Sequence, residues 1–192
     1  MRLKILIIVL LALNVFSYAG HREIKMSGNL KPYIVIDDYD DARIFVRHGD
    51  VIVRTRDADE GRVVITRDNE LFVNGEKVAL NASLQIKVEQ YHGLVVRCMK
   101  DVKHLAIEGA KMGISGAAIG VKAVAGVFHM ILPKYGPDEF ERDMDIESAK
   151  IEAKAEKLEA KADLLDEMLD DIEEIHDTLR ESVPELDALG WF

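Results

Sequence analysis

Two pairs of residues in this chain have the spacing of a metal-binding helix face. Glu89 and His92 form one, Glu173 and His176 the other. Three residues apart on a helix, a carboxylate and an imidazole fall on the same side. Di-iron carboxylate bundles use two such pairs together with glutamates from two further helices. This chain offers only two long helical segments, so a dimer would have to complete that ligand set. The four residues are metal candidates on spacing alone, and no metal or other cofactor is expected. A second feature is the acidic series Asp163, Asp166, Asp170, Glu173 and Asp177 along one helical face. Calcium takes six to eight oxygens, usually from a bending loop. A row of carboxylates on a rigid helix reads better as a solvated face, with Arg97, Lys100, Lys103 and Lys111 as counter-charges across a helical hairpin. A third is the set Arg43, Arg47, Arg54 and Arg62, which alternation allows to share one face of a sheet. Such a face suits an anion, a lipid headgroup or nucleic acid, but Asp37, Asp38, Asp40 and Asp41 lie close in sequence and offset it.

The motifs of better-defined chemistry are missing. The sequence has no Gly-rich phosphate loop, no nucleophile elbow, no paired-cysteine metal site and no zinc-protease helix motif. Its histidines and serines show no triad spacing. Cys98 is the only cysteine, so no internal disulfide can form. It sits on an apolar stripe and reads as a small buried residue. These absences weigh against an enzyme.

The elements that must position these residues are two apolar stripes at 4-3 spacing. The first runs Leu84, Val88, Tyr91, Val95, Cys98, Val102, Leu105 and on through Gly109, Met112, Gly116, Ile119, Ala123, Gly126 and Met130. The second runs Ile151, Ala155, Leu158, Ala162, Leu165, Leu169, Ile172, His176 and Leu179. Stripes of this coiled-coil type, separated by Pro133 and Pro137, predict a long antiparallel two-helix hairpin over 82–183, with helices at 82–132 and 138–183. Asn81 or Ser83 can cap the first helix. Glycines make a kink near Gly93 or within 109–126 plausible. Pro184 stops the second helix, leaving 184–192 as a tail.

Small residues sharpen the hairpin. Gly109, Gly113, Gly116 and Gly120 stand one turn apart in pairs, a spacing that lets another helix come close. Folding the chain back near residue 135 pairs positions whose numbers sum to roughly 270. Gly109 then faces the neighbourhood of Ala162, and Gly116 that of Ala155. Close packing within the hairpin is the expectation. Self-association through this helix, or association of 105–132 with a membrane, are the alternatives. Glu108, Lys111 and Lys122 are costly at bilayer depth and count against insertion.

Residues 20–81 read as an antiparallel β-meander lobe: short runs at 33–36, 42–47, 51–55, 62–66, 70–73 and 77–80 with turn residues between them. Asn74-Gly75 is a strong hairpin signal, because both central residues of a type I′ turn need positive φ. Alternation puts Ala42, Ile44, Val46, Val51, Val53, Val63, Ile65, Leu71, Val73, Val78 and Leu80 on one face. The other face mixes arginine with Phe45, Ile52, Val64 and Phe72. Ahead of the lobe, Arg2 and Lys4, the apolar run Ile5 to Leu13 and Ser17-Tyr18-Ala19 predict a signal peptide over 1–19 with cleavage before Gly20. The apolar run is well short of the ~20 residues that span a bilayer.

Charge is unevenly placed. Residues 138–192 hold 6 Lys+Arg against 20 Asp+Glu, while 20–137 hold 17 against 15. The acidity therefore belongs to the second helix, which would repel nucleic acid and anionic membranes alike.

The block Asn69-Glu70-Leu71-Phe72-Val73-Asn74-Gly75-Glu76-Lys77-Val78-Ala79-Leu80, followed by Gln85, Tyr91 and Ile107-Glu108-Gly109, resembles the YggN-like family of exported bacterial proteins over residues 62 to 125. That resemblance implies export and residence in the periplasm, and it carries no catalytic residues with it. The expectation is an α+β fold, a small antiparallel β-meander followed by a long antiparallel two-helix hairpin. The function expected is that of an exported, non-enzymatic structural or interaction protein of the bacterial envelope. Its helical surfaces would meet a protein partner or a second copy, and it would not bind nucleic acid. The alternatives are a membrane-associating protein acting through 105–132 and, last, a metal-dependent enzyme.

Overall fold

The computed structural model of the chain describes residues 22–27, 31–36, 42–55, 61–129 and 137–192. It is an α+β fold: a seven-stranded antiparallel sheet followed by two long helices that pack against each other. The strands are β1 (Arg22–Ser27), β2 (Lys31–Ile36), β3 (Ala42–Arg47), β4 (Asp50–Arg54), β5 (Val63–Ile65), β6 (Leu71–Val73) and β7 (Glu76–Lys77). Each pairs with the next, so sequence order and sheet order coincide. The helices are α1 (Ala82–His129) and α2 (Pro137–Ser182), followed by the short α3 (Pro184–Asp187). The signal segment 1–19 and the turn at Pro133 lie outside the described residues.

Local chemistry explains the turns. Asn74 and Gly75 have φ of 53° and 89°, and His48 and Gly49 have 55° and 92°. Both pairs make the left-handed two-residue connection that matches the twist of the strands they join. Asn81 caps α1, its Oδ1 accepting from the Leu84 amide at 2.9 Å. The sequence reading starts the meander at residue 33, whereas the structure adds β1. That strand is of mixed polarity and takes its conformation from the ladder it forms with β2, from Arg22↔Ile36 to Ser27↔Lys31. A polar edge strand of this kind discourages pairing with other chains.

The described residues fall into two compact units. One is His104–Asp163; the other takes in the meander, the start of α1 up to Lys103, and Leu164–Phe192. The second unit holds most of the core. Its sheet has an inner face of two cross-strand rows, Ile34–Ile44–Val53–Val63–Val73 and Val46–Val51–Ile65–Leu71. All of these are buried except Val46, which is half-buried. Val88, Tyr91, Val95, Cys98 and Val102 of α1 are fully enclosed, and Leu165, Leu169, Ile172 and Leu179 of α2 are buried with them. A stripe of this width, repeated on two helices, supplies the apolar cover that a one-sided sheet needs.

The expected tail is part of this core. Val183, Leu186, Trp191 and Phe192 are all buried. Pro184 does end α2, but it also starts α3 at the position where a missing N–H costs nothing. The chain thereby turns its last aromatic pair inward.

In the His104–Asp163 unit, α1 and α2 are linked by Lys161 donating to Glu108 at 2.5 Å. Ile151, Ala155, Leu158 and Ala162 are half-buried along α2, while Glu152, Lys154, Glu156 and Glu159 are exposed. α1 is continuous as an α-helix from Ala82 to His129, with no break in it at the glycines.

Candidate functional site

Among the described residues His176 is the one histidine sealed in the core, and the groups around it settle its chemistry. It lies on the apolar stripe of α2 with no exposed surface. Tyr91, on the stripe of α1, is equally buried, and its Oη shares a 2.9 Å hydrogen bond with His176 Nδ1. Phe192 stacks on the imidazole, with ring centroids 4.1 Å apart and planes 19° apart, and Trp191 meets Phe192 edge-on at 6.4 Å. Burial pushes the His176 pKa down to about 4. The Asp177 carboxylate opposes that shift and the Arg180 guanidinium adds to it. Burial also pushes the Tyr91 phenol well above its ordinary value. Both groups are therefore neutral near pH 7, and their mutual hydrogen bond satisfies polar atoms that would otherwise be costly to bury. A neutral, enclosed His–Tyr pair holds register between two helices; it has no access to a substrate.

Neither Glu-x-x-His pair forms a ligand set. His92 donates from Nε2 to the Gly49 carbonyl at 2.7 Å, fastening the β3–β4 turn to α1. Glu89 beside it is exposed on the helix surface. Glu173 is half-buried and held in other interactions. Among the described residues no group of three or more histidine, cysteine, aspartate or glutamate side chains could hold a metal ion. Cys98 is buried, and its thiol is pushed up to about 12, first by burial and then by the Asp101 carboxylate, so it stays protonated and unreactive.

The glycine series does not do what its spacing suggests where its surroundings are described. A Cβ placed on Gly109 or on Gly113 would meet no heavy atom within 4 Å. Gly113 is exposed. Open space around these two positions gives no sign of close backbone approach there, and Ala155 and Ala162 are half-buried on α2. The surroundings of Gly116 and Gly120 lie outside the described residues. Among the described residues, no helix is long and apolar enough to cross a membrane.

Two surface features remain. A shallow groove of ≈570 Å³ runs between α1 and α2 beside Gly93, and Lys87, Arg97, Glu89, Asp171 and Glu174 stand along it. Charges of both signs alternate there, so it favours no single ionic ligand. The outward face of the meander is more ordered. Its middle row is Phe45–Ile52–Val64–Phe72, four half-buried apolar side chains on adjacent strands. Beside it, Arg43 and Arg54 are direct cross-strand partners. Arg43 lies over the Tyr33 ring at 5.6 Å and Arg54 over the Phe45 ring at 5.0 Å. Extending the Val53↔Val63 register by one residue brings Arg62 opposite Arg54. Arg54, Arg62, Gly61 and Asn74 line an open notch of ≈390 Å³. Asn74 Oδ1 accepts from the Arg62 amide at 2.9 Å and fixes the notch floor.

The sequence placed Tyr91 and His176 on opposing stripes without joining them, and it missed the burial of Trp191 and Phe192. The signal available for the latter was the density of Leu186, Leu189, Trp191 and Phe192 just beyond a proline. Comparison with family models, with curated proteins and with solved structures finds no match.

Proposed function

We propose that this chain is an exported, non-enzymatic structural or interaction protein of the bacterial envelope. The observation that carries the non-enzymatic part is the use of its chemically able side chains inside the fold. His176 is closed in by Tyr91 and Phe192. His92 is tied to the Gly49 carbonyl. Cys98 is buried and protonated. What the chain turns outward is surface for contact: the aromatic and arginine face of the meander and two long helices with charged outer sides. Isolated exposed residues such as Ile86 and Leu164 are scattered singly and need no partner to explain them. The export part rests on the N-terminal pattern of Arg2, Lys4, the apolar run and Ser17-Tyr18-Ala19, and on the resemblance to the YggN-like family.

Crosslinking in intact cells followed by recovery of the tagged chain from the envelope fraction tests this reading. The expected result is a mature chain beginning at Gly20, crosslinked to a defined partner or to a second copy. A chain that keeps residues 1–19, stays in the cytoplasm and forms no crosslinked species would overturn it.

A further inference from the structure

We propose that the arginine row Arg43, Arg54 and Arg62 on the outward face of the meander is a binding site for a phosphate group. The inference stands on the sheet's geometry and does not depend on where the chain resides.

The register comes first. Arg43 and Arg54 are directly opposed on β3 and β4, and Arg62 follows on the next position across. Strands lie about 4.8 Å apart, so the row brings three cations together across roughly 10 Å. Like charges directly opposite one another repel and weaken a sheet. Among the carboxylates whose side chains are described, none forms an ion pair with any of the three. By contrast, the other end of the same face is balanced, with Arg47 opposite Asp50.

The guanidinium groups are also held in place. Cation–π attraction to the Tyr33 and Phe45 rings restrains the Arg43 and Arg54 guanidinium groups without using a hydrogen-bond acceptor. Arg43 Nε is buried and has no hydrogen-bond acceptor. A buried donor without an acceptor is rare in a folded chain, and this one belongs to a cation of the row. Beside the row opens the notch floored by Gly61 and Asn74, where the Asn74 side chain already spends its oxygen on the Arg62 amide and presents its nitrogen as a further donor.

Two forked cations and an amide around one notch, with Arg43 next along the row, suit an anion with several oxygens, and phosphate meets that description better than a carboxylate. The neighbouring apolar row Phe45–Ile52–Val64–Phe72 gives the organic part of a phosphate ester somewhere to lie. Free phosphate and a phospholipid headgroup share this chemistry.

Calorimetric titration of the full mature chain at constant ionic strength, first with inorganic phosphate and then with dihexanoyl phosphatidylglycerol, tests the proposal. Saturable binding of either ligand is expected. Arg54→Gln/Arg62→Gln should weaken it by roughly tenfold or more, the loss expected when charge-assisted hydrogen bonds to an anion are removed. Both side chains are exposed, so the variant should keep its fold, which circular dichroism checks. The single variants Arg54→Gln and Arg62→Gln serve if the pair does not fold. Tighter binding of the lipid than of phosphate would assign the site to a headgroup, and equal affinity would assign it to the free ion. Absence of saturable binding by both ligands, or affinities unchanged in the folded variants, would overturn the proposal.

Discussion

At the scale of single residues, the same side chain changes meaning with its surroundings. His176 has the spacing of a metal ligand, yet between Tyr91 and Phe192 it is a neutral core residue. Its lowered pKa has a consequence for stability. The unfolded chain takes up a proton as pH falls below about 6.5, whereas the folded chain resists until about 4. Folding is therefore favoured fully above pH 6.5, and this contribution is lost as pH falls towards 4. Over that window the loss should be on the order of 3 kcal/mol. Urea unfolding at several pH values measures it. A Tyr91→Phe/His176→Leu double variant should flatten the dependence between pH 6.5 and 4. Tyr91→Phe alone removes the partner of a buried imidazole and should cost about 1–3 kcal/mol at pH 7. An unchanged urea midpoint would show that the hydrogen bond contributes nothing.

At the scale of elements, the helices were legible because their periodicity runs so long. Seven residues from Leu84 to Leu105 keep one phase, and burial follows them: Val88, Tyr91, Val95, Cys98 and Val102 are enclosed while Glu89, Gln90, Arg97 and Lys100 are exposed. The fold-back register was legible too. Tyr91–His176 in one unit and Glu108–Lys161 in the other have numbers that sum to roughly 270, as the placing of the turn requires. The meaning of the glycines was not legible, because small-residue spacing records permission for close approach and not its occurrence. Gly113→Ala, placed in open space on a helix, should stabilise the chain by about 1 kcal/mol through helix propensity alone. A loss of stability there would restore the close-packing reading. Asn81→Ala should cost about 1 kcal/mol, since it removes the cap that Oδ1 provides to the Leu84 amide. Thermal unfolding of the two variants gives both numbers.

At the scale of the molecule, the segment after Pro184 ties the chain's last residues to the core that the meander and helices share. Phe192 has no exposed surface and stacks on His176. Phe192→Ala should cost about 3–5 kcal/mol, enough to expose Trp191 and shift its fluorescence to longer wavelength. A variant with wild-type stability would mean that the segment only rests on the surface. By itself the sequence determined the α+β order, the Asn74-Gly75 hairpin, the inner face of the sheet from Ala42 to Val78, and the two stripes. All of these are local, set by periods of two and of 3.6 residues and by the φ that a turn demands. Only the tertiary structure decided that the tail is core, that His176 meets Tyr91, and that Arg43, Arg54 and Arg62 stand in one row. Those contacts join residues distant along the chain. Alternation tells which face a side chain takes, but the strand register alone tells which neighbour it meets.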